Sequence, residues 1–126
     1  MEFAAGQRWT YRAPAGFEAS RIVIGAVVSF SANERVVCVA VFGAPQRGAD
    51  GTLEPVVIPF LPFAHAAFAS TVLAYDGEDV PPAAFGPALD AWASDRRGLS
   101  MFTVPFEGGL ELMIARQMEQ IVNPSP

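Results

Sequence analysis

Residues Ser20–Phe42 read SRIVIGAVVSFSANERVVCVAVF. The first half, Ser20–Phe30, places apolar side chains on two alternating faces with the period of a β-strand. The second half, Glu34–Phe42, is apolar on both faces, which is typical of a strand in the middle of a sheet or against a second layer. Ser31–Asn33 lies between them, and asparagine tolerates the backbone of a tight turn. The stretch therefore predicts a hairpin.

Two more strands are predicted by short alternating or apolar runs. Arg8–Arg12 alternates, with Trp9 and Tyr11 on one face and polar side chains on the other. Leu99–Phe106, late in the chain, is predicted as the fifth strand.

A fourth strand, Leu53–Phe60, follows the glycine-rich segment Gly43–Thr52, which is predicted to be a flexible loop. Pro55 and Pro59 lie near the ends of this strand. Because proline cannot donate a hydrogen bond to a neighbouring strand, we expect Leu53–Phe60 at an edge of the sheet.

Three helices are predicted: Pro62–Tyr75, Pro87–Arg97 and Glu107–Val122. Proline suits a first helical turn, and both arginines at the end of the second helix suit its carbonyl end. The apolar residues of the third helix recur at helical spacing and are predicted to face the core. They are Leu110, Met113, Ile114, Met118 and Ile121.

These elements predict an α+β fold in which a curved, mainly antiparallel sheet of about five strands packs against three helices. The 126 residues are expected to form a single domain, 1–126, with a tail at 123–126. Hairpin-linked strands come first and helices later, which favours α+β over a doubly wound fold.

Composition narrows the classes of function. Apolar residues make up 52% of the chain, charged residues 17%, and the net charge is −5. An acidic chain with no lysine argues against a nucleic-acid partner, since neutralised phosphates supply much of that affinity. Low charge beside high apolar content predicts exposed apolar surface, and hence a protein partner or a homo-oligomer.

The sequence favours a cytoplasmic location. The first residues, Met1–Arg8, lack the basic and apolar regions of a secretory signal. The longest apolar run, Val36–Phe42, is much shorter than the ~20 residues needed to span a bilayer, so we expect no membrane association.

Three stretches together resemble a family of small, uncharacterised bacterial proteins. They are Gly6–Ile24, Pro59–Val72 (PFLPFAHAAFASTV) and Trp92–Phe106, which ends in MFTVPF. Family members often carry an arginine between the first tyrosine and the turn glycine; here Pro14 stands near that place and Arg12 lies closer to the tyrosine. The resemblance implies a bacterial origin and no particular activity.

Few residues offer catalytic or metal chemistry. Cys38 and His65 are the single cysteine and histidine, whereas a structural zinc site needs four ligands and a catalytic one usually three. A nucleophilic thiol needs partial exposure, but Cys38 lies within an apolar run and is predicted to be buried. The sequence therefore favours a non-catalytic protein over an enzyme and predicts no cofactor and no metal.

Two groups of residues remain candidates for ligand binding. His65 shares a predicted helix face with apolar residues, so it is either a packing residue or a base that lines a pocket. Arg8, Arg12 and Arg21 could gather across neighbouring strands and bind a carboxylate or phosphate; the alternative is an exposed face with ordinary surface ion pairs.

Two hypotheses for function follow. The first is a non-catalytic binding or protein-interaction module, expected to be homodimeric, that uses apolar surface around Leu61–Tyr75 or the edge strand Leu53–Phe60. The second is a small-molecule-binding protein or enzyme with a cavity between sheet and helices. That cavity would be lined by Trp9, Tyr11, Phe68, Trp92 and His65.

Overall fold

The computed structural model of the protein describes residues 2–29, 34–95, 101–107 and 109–122. Within these ranges, five strands form one open antiparallel sheet, accompanied by three helices, which confirms the predicted α+β fold. The elements are β1 (Gln7–Tyr11), β2 (Arg21–Ser29), β3 (Arg35–Arg47), β4 (Leu53–Ala64), α1 (His65–Thr71), β5 (Val72–Glu78), α2 (Phe85–Ala93) and α3 (Leu110–Val122).

The strand order is β4-β3-β2-β1-β5. The predicted hairpin forms its centre: Arg21 of β2 pairs with Phe42 of β3 at one end, and Ser29 pairs with Arg35 at the other. The predicted turn at 31–33 lies outside the described residues. Strand β4 lies at one edge of the sheet, as its prolines predict.

Both faces of the sheet are covered. Consecutive residues of β3 point to opposite faces, so that Val37 and Val39 join a larger core while Cys38 joins a smaller one. Helices α1 and α3 contribute Phe68 and Met113 to the larger core, and α2 contributes Phe85 to the smaller. The apolar character of β3 on both faces therefore reflects its position between helices.

The position of the fifth strand was wrong in the sequence-based prediction. The fifth strand is β5, whereas in the described part of the predicted strand Leu99–Phe106 only Phe102 forms a β-bridge, an isolated parallel one with Phe63. Residues 99 and 100 lie outside the described residues. The apolar residues after Thr71 are compatible with a helix or a strand. Without them, the edge of β1 that faces away from β2 would have no hydrogen-bonding neighbour. Pairing of Val72 with Tyr11 and of Tyr75 with Trp9 supplies that edge with a neighbour.

The helices are shorter than predicted. Helix α1 begins at His65 rather than Pro62 because β4 continues to Ala64, where Pro62 pairs with Cys38 of β3. Helix α2 ends at Ala93, and Arg96 and Arg97 lie outside the described residues. Helix α3 begins at Leu110 instead of Glu107. The predicted tail at 123–126 is likewise not described.

Half of the predicted loop 43–52 is strand. Strand β3 continues to Arg47, which pairs with Leu53 of β4, so that only residues 48–52 form the turn. Phe42 is the last residue of β3 that pairs with β2. Residues 43–56 therefore extend past β2 as a two-stranded ribbon, which we call the arm.

Candidate functional site

Trp9 and Tyr11, two predicted ligand-binding residues, are part of the core. Their exposed fractions are 7% and 5%. The Trp9 indole N–H donates to Gln7 Oε1 at 3.2 Å. The Ser20 hydroxyl donates its only proton to the Phe42 carbonyl at 2.8 Å, so the Tyr11 hydroxyl is the donor in its 2.7 Å bond to Ser20. Burial raises the pKa of Tyr11 above its ordinary value.

The predicted cavity between sheet and helices does not form from its five residues. Trp9, Tyr11 and Phe68 belong to the larger core. Trp92 packs against the smaller core on the opposite face, where its ring lies 5.8 Å from that of Phe60. The sheet itself therefore separates Trp92 from the other predicted lining residues, which sequence patterning could not reveal without the strand order.

His65 is the first residue of α1 and is partly exposed. Its ring lies 5.3 Å from the ring of Phe3, which packs against the larger core. Cys38 points to the other face and is fully buried, and burial raises the pKa of its thiol to about 12. The thiol and the imidazole are thus on opposite faces of the sheet and cannot act as a nucleophile–base pair.

Two of the three predicted arginines do come together, but around a carboxylate of the protein itself. Arg21 Nε lies 2.7 Å from Asp76 Oδ2 and Arg8 Nε lies 3.1 Å from the same atom. Arg8 also lies 3.4 Å from Asp79 through its Nη1 atom. Arg12 is elsewhere: its side chain is 75% exposed and pairs with Glu107 at 3.4 Å.

This cluster connects three strands rather than forming an anion site. Asp76 lies on β5, and the arginines that bind it lie on β1 and β2. The hydrogen bond from Arg21, together with the charges of Arg21 and Arg8, holds the pKa of Asp76 below its ordinary value. Two carboxylates match the two guanidinium groups, so that no excess positive charge is left for a ligand.

The part of the chain that the structure describes holds neither a cluster of metal ligands nor a membrane-spanning helix. No group of three or more histidine, cysteine, aspartate or glutamate side chains is placed to hold a metal ion there. Over the same residues, no helix has both the length and the apolar character needed to cross a membrane.

A groove lies between the arm and the first turns of α3, and we call it the arm–helix groove. It encloses about 440 Å³. The arm contributes one wall and α3 the other, and most of the side chains that face the groove are apolar or uncharged. Its lining residues are Pro45, Gln46, Arg47, Leu53 and Ile114, together with 109–112.

Gly109 brings the two walls of this groove together. A Cβ atom on residue 109 would lie 2.9 Å from the Pro45 carbonyl oxygen, closer than such atoms approach in real proteins. The backbone φ of Gly109 is also +124°, which other residues rarely adopt. Glycine at this position therefore lets α3 begin directly against the arm.

Exposed apolar side chains line the arm–helix groove or lie near it on α3. Leu53 on the arm is 40% exposed, and Leu112, Ile114 and Met118 on α3 are 42%, 45% and 53% exposed. The sequence predicted that Ile114 and Met118 would face the core, which was wrong. Met113 is fully buried and Leu110 packs against the larger core, as predicted. The side chain of Ile121 lies outside the described residues.

A second groove lies on the other side of Leu53, between the arm and the connection from β1 to β2. We call it the arm–turn groove, and it encloses about 590 Å³. Its lining residues are Gly16, Phe17, Ala19, Ser20, Phe42, Gly43, Leu53 and Pro55. Leu53 therefore forms a ridge between two concave surfaces at one end of the sheet.

The fold and these grooves define an α+β protein with an apolar surface at one end of an open sheet. No protein-family model, no curated protein and no solved structure matches the chain. The resemblance to a bacterial family therefore stays a prediction.

Proposed function

We propose that the protein is a non-catalytic interaction module that binds a protein partner through the arm–helix groove and the exposed face of α3. The observation that carries this proposal is that three exposed apolar side chains, Leu53, Leu112 and Ile114, line one groove, with Met118 also exposed one turn after Ile114. Contiguous apolar surface on a small protein marks a site of interaction more often than isolated exposed residues do.

The sequence hypothesis had placed this surface around Leu61–Tyr75 or on Leu53–Phe60. Leu61 and Phe63 are buried, as is the inner side of α1. Leu73 and Tyr75, at the end of the first region, are 59% and 44% exposed, but they line neither groove. The second region contributes Leu53 and Val57, exposed by 40% and 50%. The proposal therefore retains the edge strand and adds α3 to it.

The placement of the reactive side chains supports a non-catalytic role. Cys38 is buried and its pKa lies far above the range in which a thiolate would form in a cell. His65 lies on α1, and neither it nor Cys38 lines the arm–helix groove. The proposal takes the protein to be bacterial, which the resemblance favours, and cytoplasmic.

The test is the size of the native assembly in the organism that makes the protein. A tagged chain should elute from gel filtration of a host extract well above its own mass of 13.4 kDa. Replacing Leu112 and Ile114 together by Gln should return it to the monomer position, since Gln keeps the helix but removes apolar surface. Elution of the unaltered chain as a monomer would overturn the proposal.

A matched control uses an exposed apolar residue outside the groove. Leu73 on β5 is 59% exposed and does not line the arm–helix groove. Leu73→Gln removes a comparable apolar side chain and should leave the assembly intact. An equal loss in both variants would show that general solubility, and not this surface, determines the elution position.

A small apolar ligand is the second candidate role, and the arm–turn groove is the observation that favours it. Its volume of about 590 Å³ falls within the range of small-molecule sites. Native mass spectrometry of protein from the host should then find a bound molecule that Phe17→Ala releases. Protein of unmodified mass from the host would rule this role out.

A further inference from the structure

Two opposite charges face the arm–helix groove from its two walls. Arg47 extends from the arm and Glu111 from the first turn of α3, and both are exposed. Within the described residues they form no ion pair with each other or with any other side chain; Arg47 donates only to the Gly51 carbonyl oxygen, at 2.6 Å. The groove thus presents one positive and one negative group that no described side chain neutralises.

The charges on this surface are complementary to those on the same surface of a second chain. A two-fold axis brings the same patch of two subunits together, so that residue i of one contacts residue j of the other and the reverse. The arm wall of one chain then faces the helix wall of its partner. Arg47 would meet an acidic group and Glu111 a basic one, with Leu53, Leu112 and Ile114 between the two pairs.

The balanced charges of the arm–helix groove suit contact between two chains that are acidic overall. Each chain carries a net charge of −5, so two copies associate more readily through a surface that is less acidic than the rest. The arm–helix groove is such a surface, since its lining holds one arginine, one glutamate and otherwise uncharged residues.

We infer that the partner is a second copy of this chain, docked by its own arm–helix groove about a two-fold axis, with Arg47 and Glu111 forming reciprocal ion pairs. This inference rests on the proposed function and names its partner. The interface combines the exposed apolar residues of β4 and α3 with two charge pairs that set the register.

Charge reversal at the two positions tests the reciprocal pairing. Arg47→Glu and Glu111→Arg should each weaken dimerisation of the purified protein by roughly tenfold or more in analytical ultracentrifugation, because each places like charges opposite one another twice. An equimolar mixture of the two variants should form a heterodimer of nearly native affinity, since both contacts then join opposite charges. The double variant should also recover.

Arg35→Glu is the matched control. Arg35 is exposed at the start of β3, at the opposite end of that strand from Arg47, and the substitution makes the same change in net charge as Arg47→Glu. It should leave the dimer unaffected. Circular dichroism of every variant establishes that the fold is retained.

The possible failures separate the two proposals. A dimer that the Leu112 and Ile114 substitutions dissociate but that neither charge reversal alters would overturn the reciprocal pairing and leave the interaction module standing. A purified monomer beside a larger assembly in the host extract would assign the groove to a different protein. A monomer in both preparations would overturn both proposals.

Discussion

The ring of Phe85 occupies the space over Gly25 in which any other residue would carry its side chain. A Cβ atom on residue 25 would lie 2.3 Å from Cζ and 2.4 Å from Cε1 of Phe85. Gly25 belongs to β2 and Phe85 opens α2, where it is only 5% exposed. The missing side chain on the strand therefore lets the first turn of α2 pack directly on the sheet.

Gly25→Ala should destabilise the protein because the Phe85 ring must move away from its present position. Overpacking of this kind costs about 1–3 kcal/mol, which urea denaturation can measure. Gly86→Ala is the control: it lies on α2, a Cβ there meets nothing within 4 Å, and alanine favours a helix. Equal stability of the Gly25→Ala protein and the wild type would contradict the packing described here.

Thr71 connects α1 to the segment that precedes α3. Its buried hydroxyl donates to the Ala67 carbonyl at 2.8 Å and accepts from the Phe106 backbone N–H at 3.0 Å. Thr71→Val keeps the shape but leaves that N–H without its acceptor, which should cost about 1–3 kcal/mol of unfolding free energy. Thr71→Ser retains the hydroxyl and should recover part of the loss. If Val and Ser variants are equally stable, the hydrogen bond is not the cause.

Cys38 should resist thiol reagents in the folded protein. It is fully buried between the sheet and α2, and burial raises the pKa of its thiol to about 12, so that almost no thiolate exists at pH 8. Labelling by iodoacetamide should begin only where urea unfolds the chain. Rapid labelling in native buffer would mean that α2 opens readily from the sheet.

Asp76 should make stability depend on pH in the acid range. Its pKa is lowered in the folded state, chiefly by the hydrogen bond from Arg21, so the folded protein binds its proton less readily than the unfolded chain does. The resulting stabilisation is present above the unfolded pKa of about 3.9 and is lost as pH falls through the lower folded value. Unfolding free energy should therefore decline below about pH 4.

Asp76→Asn should flatten that decline, and denaturation of both proteins between neutral pH and pH 2 measures the difference. Asp90→Asn is a suitable control, because Asp90 is exposed on α2 and has no ion pair within the described residues. Its pH profile should follow that of the wild type. Matching profiles for the Asp76→Asn and wild-type proteins would assign the acid dependence to other carboxylates.

The candidate site was only partly predictable from the sequence. Pro55 and Pro59 correctly predicted the edge strand that carries Leu53. The helical spacing of Ile114 and Met118 correctly indicated a helix, but it could not show which side of that helix the sheet covers. The grooves depend on the length of the arm and on the approach of Gly109 to Pro45, which are contacts between distant parts of the chain.

Local pattern by itself determined the central hairpin, the edge strand and the burial of Cys38. Alternation, proline and long apolar runs act through neighbouring residues, so they can be recognised without knowing the fold. Tertiary structure decided that Val72–Glu78 pairs with β1, that Asp76 joins Arg8 and Arg21, and that apolar residues of α3 face outward. Each of these outcomes depends on which segments meet in space. An apolar run is compatible with a helix or a strand, and the strand edge or helix face that it contacts decides between them.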